Sequence, residues 1–357
     1  MKTKNKYKLF NSYTKNMKKL IFSVLCTSMA ITCFAQNDAK TLFESGKAKM
    51  TKFDNEQVKL QMRQPVDSAA MCENLMGGYE DLLKALPLDS IRVTEKDGSP
   101  KIDKKTGKQQ IKTKYSKDIV GLISGHHNDF MLVGSIYNER RDYLNAAKAW
   151  EIYISLPEAE FLGDKKPVLA DSTAGMFAYY TGVMYYQVKD NQKAYDSFVK
   201  AIKKGYDAKE AQDMLKYESQ MVVSGYLESK DYDACEKFLD KAIADFPQEA
   251  LFVMFKGIVL ESKTDDIENA IELYKKATEI DPTLAQAQYH VGRYYNNKAV
   301  NLMNAEENAN LNDAELSKVI NPYCEQALPY LKKAVELDDT NSDAKRLLRW
   351  VEDRLSK

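Results

Sequence analysis

The chain has 357 residues, 44% of them hydrophobic and 29% charged, so it can build a folded core and is not disordered throughout. Its 52 basic and 52 acidic residues balance, but seven of the lysines fall in residues 1–35, which contain no acid. The remainder carries a net charge of −7. This acidic balance argues against nucleic acid as a partner, because that affinity comes largely from Lys and Arg on phosphates.

Residues 1–35 have the pattern of a secretory signal peptide. Two lysines precede an apolar run over residues 20–35, which is short for a membrane span and ends on the small residue Ala35. We therefore expect export, with an uncleaved N-terminal anchor as the alternative. Translation could start at Met1 or at Met17, because a start at Met17 would give a more compact signal peptide.

Two segments precede the repeats described below. Residues 36–90 contain two amphipathic stretches that predict a helical pair and leave open a degenerate repeat. Within residues 91–117, the part from Arg92 to Lys117 holds nine Lys or Arg and three acids. Turn signals at Asp97-Gly98 and Thr106-Gly107 predict either a small hairpin or a loop. We favour a soluble loop over weak docking on an acidic partner or on anionic lipid headgroups.

One packing pattern recurs within residues 118–357. A Gly lies between larger side chains on one predicted helix; in the clearest copies an Ala follows about twelve residues later, with an aromatic residue four positions after it. This spacing predicts a helix-turn-helix in which small residues let two axes cross closely and large ones fill the gap. The packing residues predicted in this way are Gly134, Ala146, Trp150, Gly182, Ala194, Phe198, Gly257, Ala270, Tyr274, Gly292 and Ala327.

The pattern resembles the tetratricopeptide repeat (TPR). Gly257 and Gly292 are 35 residues apart, close to the TPR period of about 34, and Pro282 ends that unit as the family pattern expects. The resemblance implies an all-α solenoid of stacked antiparallel helix pairs, here with a small basic insertion. Another unit has Val223 in place of its Gly, and an insertion near residues 298–321 lengthens the last unit.

That second insertion is expected to break the helical pattern. We predict an extended first helix, an Asn-rich turn and a short helix, after which Asn321 caps a new helix that starts at Pro322. Residues 342–355 then form an amphipathic capping helix.

The resemblance also implies a concave groove lined by the first helix of each pair. Tyr180 and Tyr185 are predicted to pack, whereas Tyr179 and Tyr186 suit packing or ligand contact equally. Such a surface would be polar and amide-rich and could bind an extended peptide. The alternative, given equal weight, is that these residues are simply solvated positions on the helices. The predicted groove residues are Asn128, Met131, Ser135, Asn138, Tyr179, Tyr186, Gln220, Ser224, Tyr289, Arg293, Asn296 and Asn297.

No motif predicts catalysis, a cofactor or a metal site. The adjacent His126 and His127 do not share a helix face. Of the five cysteines, the three that follow the signal segment, Cys72, Cys235 and Cys324, are odd in number and widely spaced, so neither a zinc site nor a disulfide is indicated. We expect no enzymatic activity.

The signal pattern and the repeat together resemble an exported, Bacteroidetes-like TPR protein of the periplasm or cell envelope of a Gram-negative bacterium. The resemblance implies a scaffold or adaptor that binds protein partners. A TPR-based protein that binds small molecules or glycans is the alternative. Stabilisation by oligosaccharides without a protein partner would favour it.

Overall fold

The computed structural model describes residues 38–97, 99–206, 208–265 and 267–356, so the predicted signal segment lies outside the described residues. The described part of the chain forms two compact units, divided between Leu215 and Lys216. Helices make up most of both, and the predicted all-α TPR-type class is confirmed. None of the helices in the described ranges has the length and apolar character of a bilayer span.

The first unit begins with α1, residues 38–61, and α2, Ser68–Leu88. Two short antiparallel strands follow, β1 (Ile91–Arg92) and β2 (Ile111–Lys112), where the sequence left a hairpin or a loop open. The remaining helices are α3 Ser116–Gly125, α4 His127–Glu139, α5 Tyr143–Ser155, α6 Asp171–Gln187 and α7 Asn191–Lys203. Short 3-10 segments, Leu156–Glu158 and Glu160–Lys165, lie between α5 and α6.

The boundary between the units falls within α8, Lys209–Ser229. The helices of the second unit are α9 Tyr232–Asp245, α10 Ala250–Thr264, α11 Ile267–Ile280, α12 Ala285–Asn304, α13 Asp313–Leu337 and α14 Ser342–Leu355. In each unit the second helix of one pair packs on the first helix of the next pair, α5 on α6 and α11 on α12. This neighbour-to-neighbour packing is typical of repeat proteins.

Three of the turns inside helix pairs share one backbone device. Arg141, Lys189 and Lys230 have φ values of 59°, 59° and 57°, in the left-handed region. The Asp that follows each of them caps the next helix, as Asp142 does by accepting the N–H of Asn145 at 3.3 Å. In these three pairs, the basic residue ends the first helix and the Asp after it begins the second.

The helix pairs cross where a glycine meets a large side chain. A Cβ at Gly134 would lie against the Trp150 indole, closer than any normal contact. It would lie 2.7 Å from Phe198 at Gly182, 2.7 Å from Tyr274 at Gly257 and 2.6 Å from Leu331 at Gly292. Four residues before these large side chains stand Ala146, Ala194, Ala270 and Ala327, all fully buried. Only glycine permits this approach without displacing its neighbour.

The same crossing joins α1 to α2. A Cβ at Gly46 would lie 2.8 Å from Cγ of Leu82 and 3.0 Å from the carbonyl oxygen of Gly78. Gly78 precedes Leu82 by four residues, so it takes the place of the Ala in the later pairs. In α8 and α9, Val223 is buried at the glycine position instead.

The structure corrects the prediction for the last inserted segment. Asn321 does not cap a new helix, because α13 continues through Pro322 from Asp313 to Leu337. Its N-cap is Asn312, which accepts the Glu315 N–H at 3.0 Å while the Glu315 side chain accepts the Asn312 N–H at 3.1 Å. Pro322 lies on the exposed side of the helix, so the carbonyl group that loses its partner faces solvent.

Burial explains why α13 does not break. On the side opposite Pro322, α13 contributes Ile320, Cys324, Ala327 and Leu331 to a core cluster with Ala299 of α12 and with Leu347 and Val351 of α14. Burying these side chains stabilises the continuous helix and offsets the hydrogen bonds lost at its prolines. The C-terminal helix α14 thus completes the core of the second unit.

Gly257→Ala is expected to destabilise the chain, because the new methyl group would lie 2.7 Å from Cε1 of Tyr274. We expect a loss of about 1–3 kcal/mol in the free energy of unfolding, measured by urea denaturation. Gly225→Ala is the matched control, since a Cβ added there would meet no atom beyond its own helix backbone and chain neighbours within 4 Å. There the change should stabilise by about 0.4–1 kcal/mol. Equal effects of the two substitutions would contradict the close crossing.

Candidate functional site on the first helices

In the first unit, α4 and α6 carry the predicted groove residues. Asn128 and Met131 are exposed and Asn138 is half-buried on α4, while Tyr186 is exposed on α6. Predicted position Ser135 is half-buried and donates to the Met131 carbonyl oxygen at 3.0 Å. These side chains offer polar and apolar contacts on first helices within one unit.

Tyr179, which suited packing or ligand contact equally, packs in the structure, whereas Tyr180 does not. Tyr179 is half-buried and stacks on Tyr206 with ring centroids 4.9 Å apart, and burial raises its pKa. Tyr180, predicted to pack, is 41% exposed. The reason is that Tyr206, in the turn after α7, covers Tyr179. Local spacing along α6 does not contain that contact.

An apolar patch in the first unit has Tyr180 and Met131 at its surface. The Trp150 indole lies beneath both: its ring centroid is 6.1 Å from that of Tyr180, and its Nε1–H donates to the Met131 carbonyl oxygen at 3.2 Å. The Trp150 ring also fills the Gly134 crossing. The packing unit therefore supports the patch directly.

In the second unit, Glu261 of α10 joins Tyr274 and Arg293 in what we call the Glu261 cluster. Arg293 donates from Nη2 to both carboxylate oxygens of Glu261, at 2.8 and 2.6 Å. The Tyr274 hydroxyl donates to Oε2 of Glu261 at 2.7 Å. The Arg293 guanidinium also lies 6.0 Å from the centroid of the Tyr289 ring. A charged network therefore joins α10, α11 and α12.

His290 completes the cluster as a neutral ring. It stacks on Tyr274 with centroids 4.5 Å apart and an angle of 10° between the rings. Burial, and then the Arg293 charge, lower the pKa of His290 to about 3, so the imidazole is neutral at physiological pH. Burial, and then the hydrogen bond to the Glu261 carboxylate, raise the pKa of Tyr274 and keep its hydroxyl a donor.

Glu261 was absent from the predicted groove residues although the repeat register indicates it. It stands four residues after Gly257, as Asn138, Tyr186 and Asn296 stand four residues after their glycines. The same register therefore identifies Glu261 from the sequence alone.

Asn296 does not face the groove as predicted, since it is only 2% exposed. Its Nδ2 has no hydrogen-bond partner within the described residues, and the same holds for Nε of Arg293 and Nδ1 of His290. These three residues are spaced by three along α12 and share one side of the helix. Buried polar atoms normally have hydrogen-bond partners, and here three that have none among the described residues lie together on one side of α12.

The remaining predicted positions on first helices of the second unit are solvent-accessible. Asn297 and Gln220 are exposed, and Ser224 and Tyr289 are half-buried. Both Asn296 and Asn297 of α12 were predicted to be exposed, and of the two only Asn297 is.

The histidine pair and the cysteines serve packing. His126 pairs through Nδ1 with Asp129 at 2.8 Å, whereas His127 is buried and pairs through Nε2 with the Tyr153 carbonyl oxygen at 2.8 Å. No group of His, Cys, Asp and Glu within the described ranges could hold a metal ion. Burial raises the pKa of Cys72 to about 11, so that thiol stays protonated at neutral pH.

The family-model match agrees with the glycine crossings. Residues 172–348, just under half of the chain, match the family model described as Iml2/Tetratricopeptide repeat protein 39. The glycine crossings and this match together show that the chain is a tetratricopeptide-repeat protein. No curated protein sequence matches the chain significantly.

Several solved structures are similar to this chain at low identity. A TPR repeats protein from Bacteroides fragilis is 21% identical over 64% of this chain and 98% of that one, with a TM-score of 0.38. YrrB, described as a TPR protein with an unusual peptide-binding site, is 17% identical over 65% and 97%, with a TM-score of 0.33. MamA is 18% identical over 59% and 97%, with a TM-score of 0.32.

A buried acid on α8 had no signal in the sequence. Glu218 is fully buried, neither of its carboxyl oxygens has a hydrogen-bond partner among the described residues, and burial raises its pKa to about 7. Its pKa is thus higher in the folded chain than the ordinary value of about 4.3. Ionisation therefore costs stability as pH rises toward and through the folded pKa.

Glu218→Gln is expected to remove this pH dependence, because the amide carries no charge. The wild type should lose stability between about pH 4 and 7, the pKa values of the unfolded and folded chains, and the variant should be more stable at pH 8 by about 1–3 kcal/mol. The measurement is urea unfolding across that range. Glu228→Gln, at an exposed acid on the same helix, is the control and should follow the wild type. A parallel decline in both variants would contradict the assignment.

Proposed function

We propose that this TPR protein is a non-catalytic scaffold or adaptor that binds an extended segment of a protein partner on its first-helix faces. The observation that carries the proposal is the geometry of Arg293. Glu261 engages only Nη2, and Tyr289 lies against the guanidinium, so the side chain is held in place. Nη1 has no acceptor within the described chain and remains a donor for a partner.

Such an arrangement suits a polypeptide backbone or a carboxylate. Arginine donors form strong, directional hydrogen bonds to carbonyl and carboxylate oxygens, and prior fixation lowers the entropy lost on binding. The exposed Asn297, four residues further along α12, adds an amide that can donate and accept. In the first unit, the patch of Met131 and Tyr180 suits apolar side chains of a bound segment.

Export to the periplasm or cell envelope of a Gram-negative bacterium is part of the proposal. Its support is the sequence of residues 1–35, where basic residues precede an apolar run that ends at Ala35. An uncleaved N-terminal anchor is the alternative within the same pattern.

The test is crosslinking in intact cells, affinity capture of the tagged protein and mass spectrometry. We expect Arg293→Met to lower recovery of the main wild-type partner about 10-fold or more, because a charge-assisted hydrogen bond contributes about 1.5–3 kcal/mol. Met keeps much of the apolar stem of Arg in place. Arg349→Met, at an exposed arginine on α14, is the matched control and should recover the partner normally.

Circular dichroism and thermal melting of both variants separate lost binding from lost folding. Equal recovery by a folded Arg293→Met variant would remove Arg293 from the interface. Recovery of no specific partner by the wild type, together with stabilisation by oligosaccharides, would overturn the scaffold and support the small-molecule or glycan alternative.

A further inference from the structure

The basic insertion between α2 and α3 is an ordered element. β1 pairs with β2, and isolated antiparallel bridges join Thr94 to Pro100 and Ile102 to Gln109. Three extended stretches therefore pair with one another over residues 91–112, which we call the basic sheet. The first stretch bonds both of the others, since the Val93 N–H donates to Gln110 at 2.9 Å and the Val93 carbonyl oxygen accepts from Lys101 at 3.0 Å.

Asp89 ties the basic sheet to the helices at its base. This carboxylate is fully buried and accepts the N–H groups of Lys114, Tyr115 and Ser116 at 2.7–3.0 Å. It also accepts the Ser116 hydroxyl at 2.7 Å. Burial alone would raise the pKa of Asp89, but these bonds to the charged form lower it below its ordinary value. The two ends of the insertion are thereby fixed together.

The basic sheet and its flanks carry cations without neutralising partners. Residues 92–117 contain nine Lys or Arg and three acids. Two of the acids are used in turns: Asp97 accepts the Ser99 N–H and Asp103 accepts that of Thr106, each at 2.9 Å. No salt bridge in the described chain joins any of the nine cations to a carboxylate. The insertion therefore presents a net positive charge in an otherwise acidic chain.

One face of the basic sheet exposes two isoleucines. Ile102 is 50% exposed and Ile111 is 58% exposed. Paired residues of antiparallel strands project to the same side, as do residues two apart on one strand. Ile102 pairs with Gln109, which stands two residues before Ile111, so both isoleucines lie on one face. Arg92, the partner of Ile111, shares that face.

We propose that the basic sheet docks on an anionic lipid bilayer through this face, with Ile102 and Ile111 entering the headgroup region and the surrounding lysines meeting phosphate or carboxylate headgroups. Eight of the nine cations are Lys, whereas protein interfaces favour Arg, Tyr and Trp and are depleted in Lys. A lipid surface accepts point charges at any spacing and takes up aliphatic side chains. The observations therefore favour lipid over an acidic protein. This inference does not depend on the proposed function.

The first test measures partition of the full chain onto vesicles of phosphatidylcholine with phosphatidylserine. Replacing Lys104, Lys105 and Lys108 with Gln should weaken partition about 100-fold, roughly fivefold for each lysine near an anionic surface. The control replaces three exposed lysines elsewhere, Lys52, Lys148 and Lys345, with Gln and should bind like the wild type. Vesicles of phosphatidylcholine alone should not bind through the sheet. Equal losses in the two triple variants would overturn the proposal.

A site-specific readout separates the sheet from the N-terminal segment, which could bind lipid by itself. Tryptophan fluorescence of Ile111→Trp should be quenched by brominated lipid in the anionic vesicles, whereas Val168→Trp, at a 96% exposed position outside the sheet, should not. Quenching at 111 should disappear in the Lys104, Lys105 and Lys108 variant. The absence of quenching at position 111 would contradict lipid docking. Binding of the full chain to immobilised polyglutamate but not to the anionic vesicles would also contradict it and would favour an acidic protein surface.

Discussion

The close approach of a glycine on one helix to a large side chain on the next is the contact on which the rest of the structure depends. A Cβ at Gly182, Gly257 or Gly292 would come within 2.6–2.7 Å of the facing ring or branched side chain. The crossing fixes the distance and rotation between the two helices of a pair. It therefore also fixes which residues of the first helix point toward the core and which remain available to a partner.

Tyr274 connects this packing to the candidate binding surface. Its ring fills the crossing at Gly257, stacks on His290, and ends in a hydroxyl that donates to Glu261. Glu261 in turn holds Arg293 on the next first helix. A side chain selected for packing thus orients a charged group at the surface, so the rigidity of the repeat is transmitted to the residues that would meet a partner. The basic sheet is attached differently, through the buried Asp89 carboxylate.

The helix pairs could be predicted because their signal is local: a glycine, a small residue and a large residue recur at fixed spacing. Tertiary contacts decided what the sequence left undetermined. Pro322 reads as a helix start, but burial of Ile320 and Cys324 keeps α13 continuous. Spacing on α6 leaves Tyr179 open between packing and ligand contact, and Tyr206 from a later turn settles it by covering the ring. The Asp89 bonds span 25 to 27 residues and have no local signature.

The measurement that tests the central contact most directly is a double-mutant cycle of Gly182→Ala with Phe198→Val, read as the free energy of unfolding. A Cβ at Gly182 would lie 2.7 Å from Cε1 of Phe198, and shortening that side chain makes room for it. The two changes should therefore be non-additive, with the double variant more stable than the sum predicts by about 1 kcal/mol or more. Additivity within about 0.5 kcal/mol would contradict the account, because it would mean that the two side chains do not compete for one space.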